Sequence, residues 1–167
     1  MTRKLIVIAV IVLVFTQISC LKANTDCQFK ECQFVAPAAE IQSVNSYLAS
    51  NGLTATQHCS GLYYSISAAG VGKSPDGCSY VNLKYTGKTT GGFVFDSRTA
   101  SPVLINLNQV ITGWRAGVPL LKEGGIITLY IPPYLGYGAQ EIKDASGNVI
   151  VPGNSILIFD IELTSVQ

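Results

Sequence analysis

Five cysteines and a single histidine are the side chains of this 167-residue sequence with the greatest intrinsic capacity for chemistry. Thiolates and imidazoles bind zinc, but structural zinc sites usually draw their ligands from closely spaced pairs such as Cys-x-x-Cys. Cys27, Cys32, Cys59 and Cys78 do not show that spacing, and His58 has no histidine partner. The sequence therefore predicts no metal site and no cofactor. We assign no role to His58, which we expect to be exposed.

The first residues predict the compartment in which those cysteines lie. Arg3 and Lys4 precede an unbroken apolar run over residues 5–15, which is the arrangement of an export signal. The run has 11 residues, whereas a membrane-spanning helix needs about 20. We interpret residues 1–19 as a signal peptide, and a permanent transmembrane anchor is the weaker alternative.

A small residue followed by cysteine ends this segment, as in a bacterial lipoprotein signal. Cys20 is then the residue that would be lipidated and would attach the chain to a membrane. Gln17 departs from the lipoprotein pattern, which usually has an aliphatic residue there, so simple secretion with cleavage nearby stays open. In either case we expect an exported protein of the bacterial cell envelope, periplasmic or anchored in the outer membrane, with residues 20–58 forming a tether and a short helix.

Export favours disulfides over free thiols, because exported chains meet oxidising conditions. Without Cys20, four cysteines remain and can pair completely, with three connectivities open. We favour Cys27–Cys32 together with Cys59–Cys78, the second of which would close a hairpin-like stretch.

The distribution of charge indicates no polyanionic partner. Cleavage of the signal would remove Arg3 and Lys4 and take the formal net charge from +1 to −1. The sequence has no basic run and no interleaving of arginines with aromatic residues, so it shows no pattern typical of nucleic-acid binding.

The helices that could position a site are short. Residues 37–50 carry apolar side chains at helical spacing and end at Asn51-Gly52, which predicts a short peripheral helix. A second helix is predicted from Thr112, as its cap, to Leu121, shortly before a pair of glycines.

Elsewhere the apolar pattern has a period of two. In residues 156–163, apolar side chains alternate with Asp160 and Glu162, which is typical of a half-buried antiparallel strand. Further strands are predicted over residues 62–67, 81–85, 93–97, 103–106 and 126–131. We therefore predict an α+β fold in which an antiparallel sheet of five to six strands wraps around one short central helix, in a domain covering residues 59–167.

Five short segments of this domain occur in a specific order. They are Leu83-Lys84-Tyr85-Thr86-Gly87, Val94-Phe95-Asp96-Ser97, Gln109-Val110-Ile111-Thr112-Gly113-Trp114, Tyr137-Gly138, and Val151-Pro152 followed by residues 157–163. Each segment is weak evidence alone. Together, across residues 79–167, the set resembles the FKBP family of peptidyl-prolyl cis/trans isomerases.

The resemblance implies a pocket for a proline ring. The catalytic residues that it implies are Tyr85, Phe95, Asp96, Trp114, Tyr137 and Phe159, with Trp114 as the floor. The substrate-binding residues that it implies are Val103, Val110, Ile111, Ile150 and Val151. The N–H of Ile111 and the hydroxyl of Tyr137 would contact the peptide carbonyls that flank the proline.

An apolar pocket suits this reaction, because rotation about an Xaa-Pro bond needs no covalent chemistry. The barrier of about 18–20 kcal/mol comes from amide resonance, and a dry cavity favours the twisted amide, which has lost charge separation. The implied partners are proline-containing unfolded or exported polypeptides, and macrolide-type molecules are implied as pocket ligands. We expect a monomer, because no exposed apolar strand in the sequence indicates an interface between subunits.

Two features depart from the family pattern and keep alternatives open. Val103 stands where many members have an aromatic residue opposite Phe95, and the loop between Tyr137 and Pro152 is longer than in the shortest members. A second hypothesis is therefore a chaperone module that holds proline-containing segments without accelerating rotation. A third, a small-molecule carrier, would need a larger cavity than one helix on a small sheet leaves.

Overall fold

The computed structural model describes residues 27–167, so Cys20, the predicted signal peptide and the beginning of the predicted tether lie outside the described residues. The helices are α1 (Ala38–Ser50) and α2 (Thr112–Gly117). The strands are β1 (Thr56–Gln57), β2 (Tyr63–Ala68), β3 (Tyr80–Thr89), β4 (Val94–Asn106), β5 (Ile126–Ile131), β6 (Ile142–Lys143), β7 (Val149–Val151) and β8 (Leu157–Val166). Neither α1 nor α2 has the length and apolar character needed to cross a membrane.

Six strands form one antiparallel sheet in the order β1-β2-β5-β8-β3-β4, and β6 pairs with β7 in a separate hairpin. The predicted fold class, an antiparallel sheet around one short helix, is confirmed. The period of two in β8 and β3 puts their apolar residues on one inner face, where they form the main core with α2. Polar residues such as Lys88 and Asp160 lie on the outer face and form an ion pair at 2.9 Å.

Helix α2 lies directly on β5 because two glycines, one turn apart, face the strand. A Cβ atom at Gly113 would come within 2.6 Å of Ile131, and one at Gly117 within 2.6 Å of Leu129. This close approach fixes the height of Trp114, which follows Gly113, relative to the sheet.

The predicted second helix differs from the structure at both ends. Its N-cap is Ile111, which makes no side-chain capping hydrogen bond, and the predicted cap, Thr112, is the first residue of the helix. The α-helix ends at Gly117 and continues as a single 3-10 turn over Val118–Leu120. Pro119 lies in that turn and has no N–H to extend an α-helical ladder, which explains the early end.

The predicted strands 93–97 and 103–106 are parts of one long strand, β4. Its pairing with β3 is interrupted, because Leu83 pairs with Val103 whereas Tyr85 pairs with Arg98. The extra residues of β4 form an irregularity that the alternation of side chains could not reveal.

Helix α1 covers part of the outer face of the sheet. Val44 and Leu48 pack with Tyr63, Tyr130 and Ile158 in a second, smaller apolar cluster. Helix α1, which belongs to the predicted tether segment, is thus packed against the sheet. The domain boundary at residue 59 stays a prediction.

The two disulfides join the N-terminal segment to the sheet domain. They are Cys27–Cys78 and Cys32–Cys59, with Cα–Cα distances of 5.6 and 5.5 Å. The predicted pairs Cys27–Cys32 and Cys59–Cys78 are therefore wrong. The segment before α1 folds back along the domain, with the N–H of Ala36 donating to the carbonyl of Ser60, and this brings each early cysteine beside a distant partner.

His58 is buried, contrary to expectation. Its Nδ1 lies 2.9 Å from the hydroxyl of Ser60 and accepts the N–H of Ser60 at 3.2 Å. The ring therefore closes the turn that carries Cys59, which is a structural role.

Candidate functional site

A cavity of about 230 Å³ opens between α2, the inner face of the sheet and the connections around them. Its lining residues come from β3, β4, α2, β8 and two connecting segments. They are Tyr85, Asp96, Ile105, Gln109, Val110, Ile111, Trp114, Tyr137 and Phe159.

Trp114 forms the floor and is held by two aromatic rings. Its ring meets those of Tyr85 and Phe159 edge to face, with centroids 5.0 and 5.1 Å apart. Edge-to-face pairs at this distance are favourable beyond their burial, so the two contacts stabilise the position of the Trp114 ring. Trp114 is only 4% exposed, and its indole N–H has no hydrogen-bond partner within residues 27–167.

The wall behind Phe159 depends on a glycine. Phe95 packs edge to face on Phe159 at 5.6 Å, and both rings lie against Gly87. A Cβ atom at Gly87 would come within 2.5 Å of Phe159 and 2.9 Å of Phe95. Only a residue without a side chain leaves room for the two rings.

One polar pair crosses the apolar wall. The hydroxyl of Tyr85 donates to Asp96 Oδ2 at 2.6 Å, and Arg98 Nη1 donates to Asp96 Oδ1 at 3.2 Å. Burial, followed by the hydrogen bond to Asp96, raises the pKa of Tyr85 to about 12. Tyr85 therefore stays a protonated donor, and Asp96 is held in one orientation at the cavity wall.

Two further donors are available to a ligand. The carbonyl of Ile111 accepts from the N–H groups of Trp114 and Arg115, which fixes the start of α2, whereas none of the hydrogen bonds found in residues 27–167 uses the N–H of Ile111. The hydroxyl of Tyr137 likewise takes part in no side-chain hydrogen bond among residues 27–167. Burial, and then the charge of Asp96, raises the pKa of Tyr137, so this hydroxyl also remains a donor.

The structure brings together most, but not all, of the residues predicted to form the site. Tyr85, Asp96, Trp114, Tyr137, Phe159, Val110 and Ile111 line the cavity. Phe95 supports Phe159 from behind, and Val103 packs against the core without lining the cavity. Val151 is fully buried in the core, and Ile150 lines a different depression.

Two lining residues, Ile105 and Gln109, were not predicted. Ile105 lies two residues beyond Val103, so the alternation of β4 pointed to it as the next side chain on the same face. Gln109 ends the 3-10 turn Leu107–Gln109, and this turn brings it to the cavity. The spacing of apolar residues in the sequence did not predict the turn.

The arrangement can bind and orient, and it does not assemble a nucleophile with a base. The cavity contains no cysteine or histidine. Among residues 27–167, one group has the spacing of metal ligands, Cys27, Asp76 and Cys78, and its two sulfurs are joined in a disulfide. What the cavity offers is an aromatic floor, apolar walls and a few fixed donors.

Comparisons with known proteins agree with this geometry. A family model described as FKBP-type peptidyl-prolyl cis-trans isomerase matches residues 72–164. A protein named as a probable FKBP-type peptidyl-prolyl cis-trans isomerase from Haemophilus influenzae is 44% identical over 110 residues, which are 65% of this chain and 44% of that protein. The chain thus spans less than half the length of this curated relative.

Two solved structures share the fold. A peptidyl-prolyl cis-trans isomerase from Pseudomonas syringae is 26% identical with a TM-score of 0.65, and the match covers 79% of this chain and 97% of that chain. FkpA from Escherichia coli is 32% identical with a TM-score of 0.65, and the match covers 78% of this chain and 60% of that chain.

Proposed function

The chain belongs to the FKBP-type peptidyl-prolyl cis-trans isomerase family, and from this premise we propose that it accelerates rotation about Xaa-Pro bonds in unfolded polypeptides. The observation that carries the proposal is the floor of the cavity. Trp114, held edge to face by Tyr85 and Phe159, presents an apolar surface at the bottom of a cavity with room for a ring of the size of proline.

The apolar walls favour the transition state over the planar amide. In the planar amide, resonance separates charge between nitrogen and oxygen, and rotation removes that separation. A water-excluding cavity stabilises the less polar, twisted form relative to the planar one, which is differential binding. A thousandfold acceleration requires about 4 kcal/mol of such differential stabilisation.

The fixed donors orient the substrate for this rotation. The N–H of Ile111 and the hydroxyl of Tyr137 are both available at the cavity. Donating to the carbonyls on either side of the proline, they would hold one side of the bond while the other turns. Asp96, oriented by Tyr85 and Arg98, provides an acceptor for an N–H of the bound chain.

A prolyl isomerisation assay on the exported chain, purified from an oxidising compartment, tests the proposal. We expect wild-type protein to accelerate isomerisation of short Xaa-Pro peptides, and a macrolide pocket ligand to block it. Trp114→Ala and Asp96→Ala should each lower kcat/KM at least about tenfold, since each removes a contact worth roughly 1.4 kcal/mol or more. Tyr134→Ala is the control, because Tyr134 is exposed and outside the cavity.

Well-folded wild-type protein without any acceleration, across several residues before proline, would overturn the isomerase proposal. Retained binding of proline-containing peptides in that experiment would instead support the chaperone hypothesis. The far-ultraviolet circular dichroism spectrum and the thermal midpoint of each variant establish that it is folded.

We further propose that the protein is exported to the cell envelope and that Cys20 is lipidated. Two disulfides support an oxidising compartment, and they use the other four cysteines of the sequence, leaving Cys20 unpaired by them. Mass spectrometry of the membrane fraction should find an N-terminal diacylglyceryl cysteine, which Cys20→Ser abolishes. A water-soluble mature chain without lipid would leave simple secretion as the correct account.

A further inference from the structure

A second depression, which we call the rim depression, lies beside the cavity. It has a volume of about 240 Å³ and is lined by Thr89, Phe93, Val149, Ile150 and Pro152, none of which carries a charge. Two hairpins form it, the turn between β3 and β4 and the pair β6–β7. Phe93 is 55% exposed and Val149 is 44% exposed, although both are large apolar residues.

The rim depression is on the same face of the sheet as the cavity. Gly87 of β3 pairs with Phe159, and Thr89, two residues further, pairs with Leu157, whose side chain is buried in the same core. Two residues of a strand span about 7 Å. Thr89 and its neighbour Phe93 therefore continue the inner face just beyond the aromatic wall.

The pairing of β4 explains why Phe93 joins that face. Gly87 pairs with Asp96 and Lys88 pairs with Val94, which leaves Phe95 as the extra residue of a bulge. The N–H of Thr89 donates to the carbonyl of Phe93 at 3.0 Å, so Phe93 sits opposite Thr89. Phe93 and Phe95 thus both come to the inner side, and Phe95 contacts Phe159 of the cavity.

We propose that the rim depression binds an apolar side chain, preferably aromatic, of the same polypeptide whose proline occupies the cavity. This inference rests on the proposed isomerase function. An extended substrate advances about 3.3 Å per residue, so a side chain three residues from the proline lies about 10 Å away, far enough to pass the aromatic wall toward Thr89 and Phe93. The uncharged lining disfavours a charged side chain, whose desolvation nothing there would offset.

Nine-residue peptides with one central Xaa-Pro bond test the proposal. Each carries either Phe or Ser three residues before or three residues after the proline, and isomerisation is followed by exchange NMR, which needs no coupling protease. We expect wild-type protein to show a kcat/KM about tenfold higher for Phe than for Ser on one side of the proline. Phe93→Ser and Val149→Ser should each reduce that preference to about twofold or less, since each removes apolar contact area.

Val71→Ser is the matched control for Val149→Ser, because Val71 is a 95% exposed valine outside both depressions. It should keep the full preference for Phe. Equal kcat/KM for the Phe and Ser peptides in wild-type protein, or an unchanged preference in Phe93→Ser, would overturn the inference.

A tetrapeptide too short to reach the rim depression separates this inference from the proposed function. Acceleration of the tetrapeptide without any preference among the long peptides contradicts only the rim depression. Where wild-type protein accelerates neither, the isomerase function fails, and fluorescence anisotropy of the labelled long peptides decides the rim depression. Weaker binding of the Phe peptide to Phe93→Ser then supports it, and equal binding rejects it.

Discussion

At the scale of single residues, Tyr85 links the apolar floor to the polar wall. Its ring supports Trp114, and its hydroxyl orients Asp96. The two functions have different consequences on substitution. Removal of the ring would open the floor, whereas removal of the hydroxyl alone leaves the packing in place and leaves Asp96 with its bond to Arg98.

Tyr85 also predicts a dependence of stability on pH. Burial and the bond to Asp96 raise its pKa to about 12, whereas a tyrosine in an unfolded chain ionises near pH 10. Between about pH 10 and 12, the unfolded chain loses a proton that the folded chain retains, so stability falls as pH rises. Urea unfolding of Tyr85→Phe over this range should show a shallower fall than wild type. Tyr134→Phe, a change at an exposed tyrosine, should keep the wild-type slope, and an identical slope for Tyr85→Phe would refute the assignment.

Gly87 predicts a loss of both stability and activity when a methyl group is added. The new Cβ of Gly87→Ala would overlap Phe159 and Phe95 and displace at least one ring. Overpacking of this kind costs about 1–3 kcal/mol, and we expect a similar lowering of the free energy of unfolding with about tenfold lower kcat/KM. Gly91→Ala is the control, because a Cβ there meets nothing closer than 3.9 Å. Unchanged activity in folded Gly87→Ala would show that the ring positions are not required.

At the scale of elements, the height of α2 above β5 decides where the floor of the cavity lies. The helix has six residues, and Gly113 and Gly117 form the side that touches the strand. A helix this short is marginal by propensity alone. Its position therefore depends on tertiary packing, and Trp114 depends on it in turn.

In Gly117→Ala, higher helix propensity and poorer packing have opposite effects on the free energy of unfolding. Alanine favours a helix by up to about 1 kcal/mol relative to glycine, but its Cβ would lie 2.6 Å from Leu129, and overpacking costs about 1–3 kcal/mol. We expect the variant to be less stable by about 1–2 kcal/mol in urea unfolding. Trp114 is the only tryptophan, so its emission maximum reports movement of the floor directly. A more stable variant with an unchanged emission maximum would show that the contact between α2 and β5 accommodates the added methyl group.

At the scale of the whole molecule, the N-terminal segment is joined to α2 through Arg115. Arg115 of α2 lies 4.2 Å above the ring of Phe29 and donates to the carbonyl of Gly77 at 3.1 Å. Gly77 precedes Cys78, which is bonded to Cys27. The disulfide, the arginine and the helix that carries Trp114 therefore form one connected unit.

The disulfides predict a measurable difference in stability. Replacing Cys27 and Cys78 by serine removes a cross-link over 51 residues, and replacing Cys32 and Cys59 removes one over 27. Each removal should cost about 2–4 kcal/mol in urea unfolding. The longer loop should cost about 0.6 kcal/mol more, because closure entropy grows slowly with length. Non-reducing peptide mapping checks the connectivity, and a fragment joining Cys27 to Cys32 would contradict it.

Local pattern alone was enough to predict most elements of the fold, whereas most lining residues of the site were implied by the resemblance to the FKBP family. The alternation in β8 and the spacing of apolar residues in α1 needed only neighbours in the chain, because the period of an element decides which side chains share a face. The ordered motifs contain eight of the nine lining residues, and the resemblance implied a site role for seven of these, all except Gln109.

Only the tertiary structure decided the features that depend on distant partners. The disulfide pairing follows from the return of residues 27–36 along the domain, and His58 is buried in the turn to which Ala36 of that segment is hydrogen-bonded. The bulge at Phe95 moved Phe93 to the inner face, and the packing of β7 placed Val151 in the core and Ile150 in the rim depression. Sequence periodicity records which face a side chain takes within its own element. It does not record which other element packs against that face, and the identity of that element determines a disulfide partner or a pocket wall.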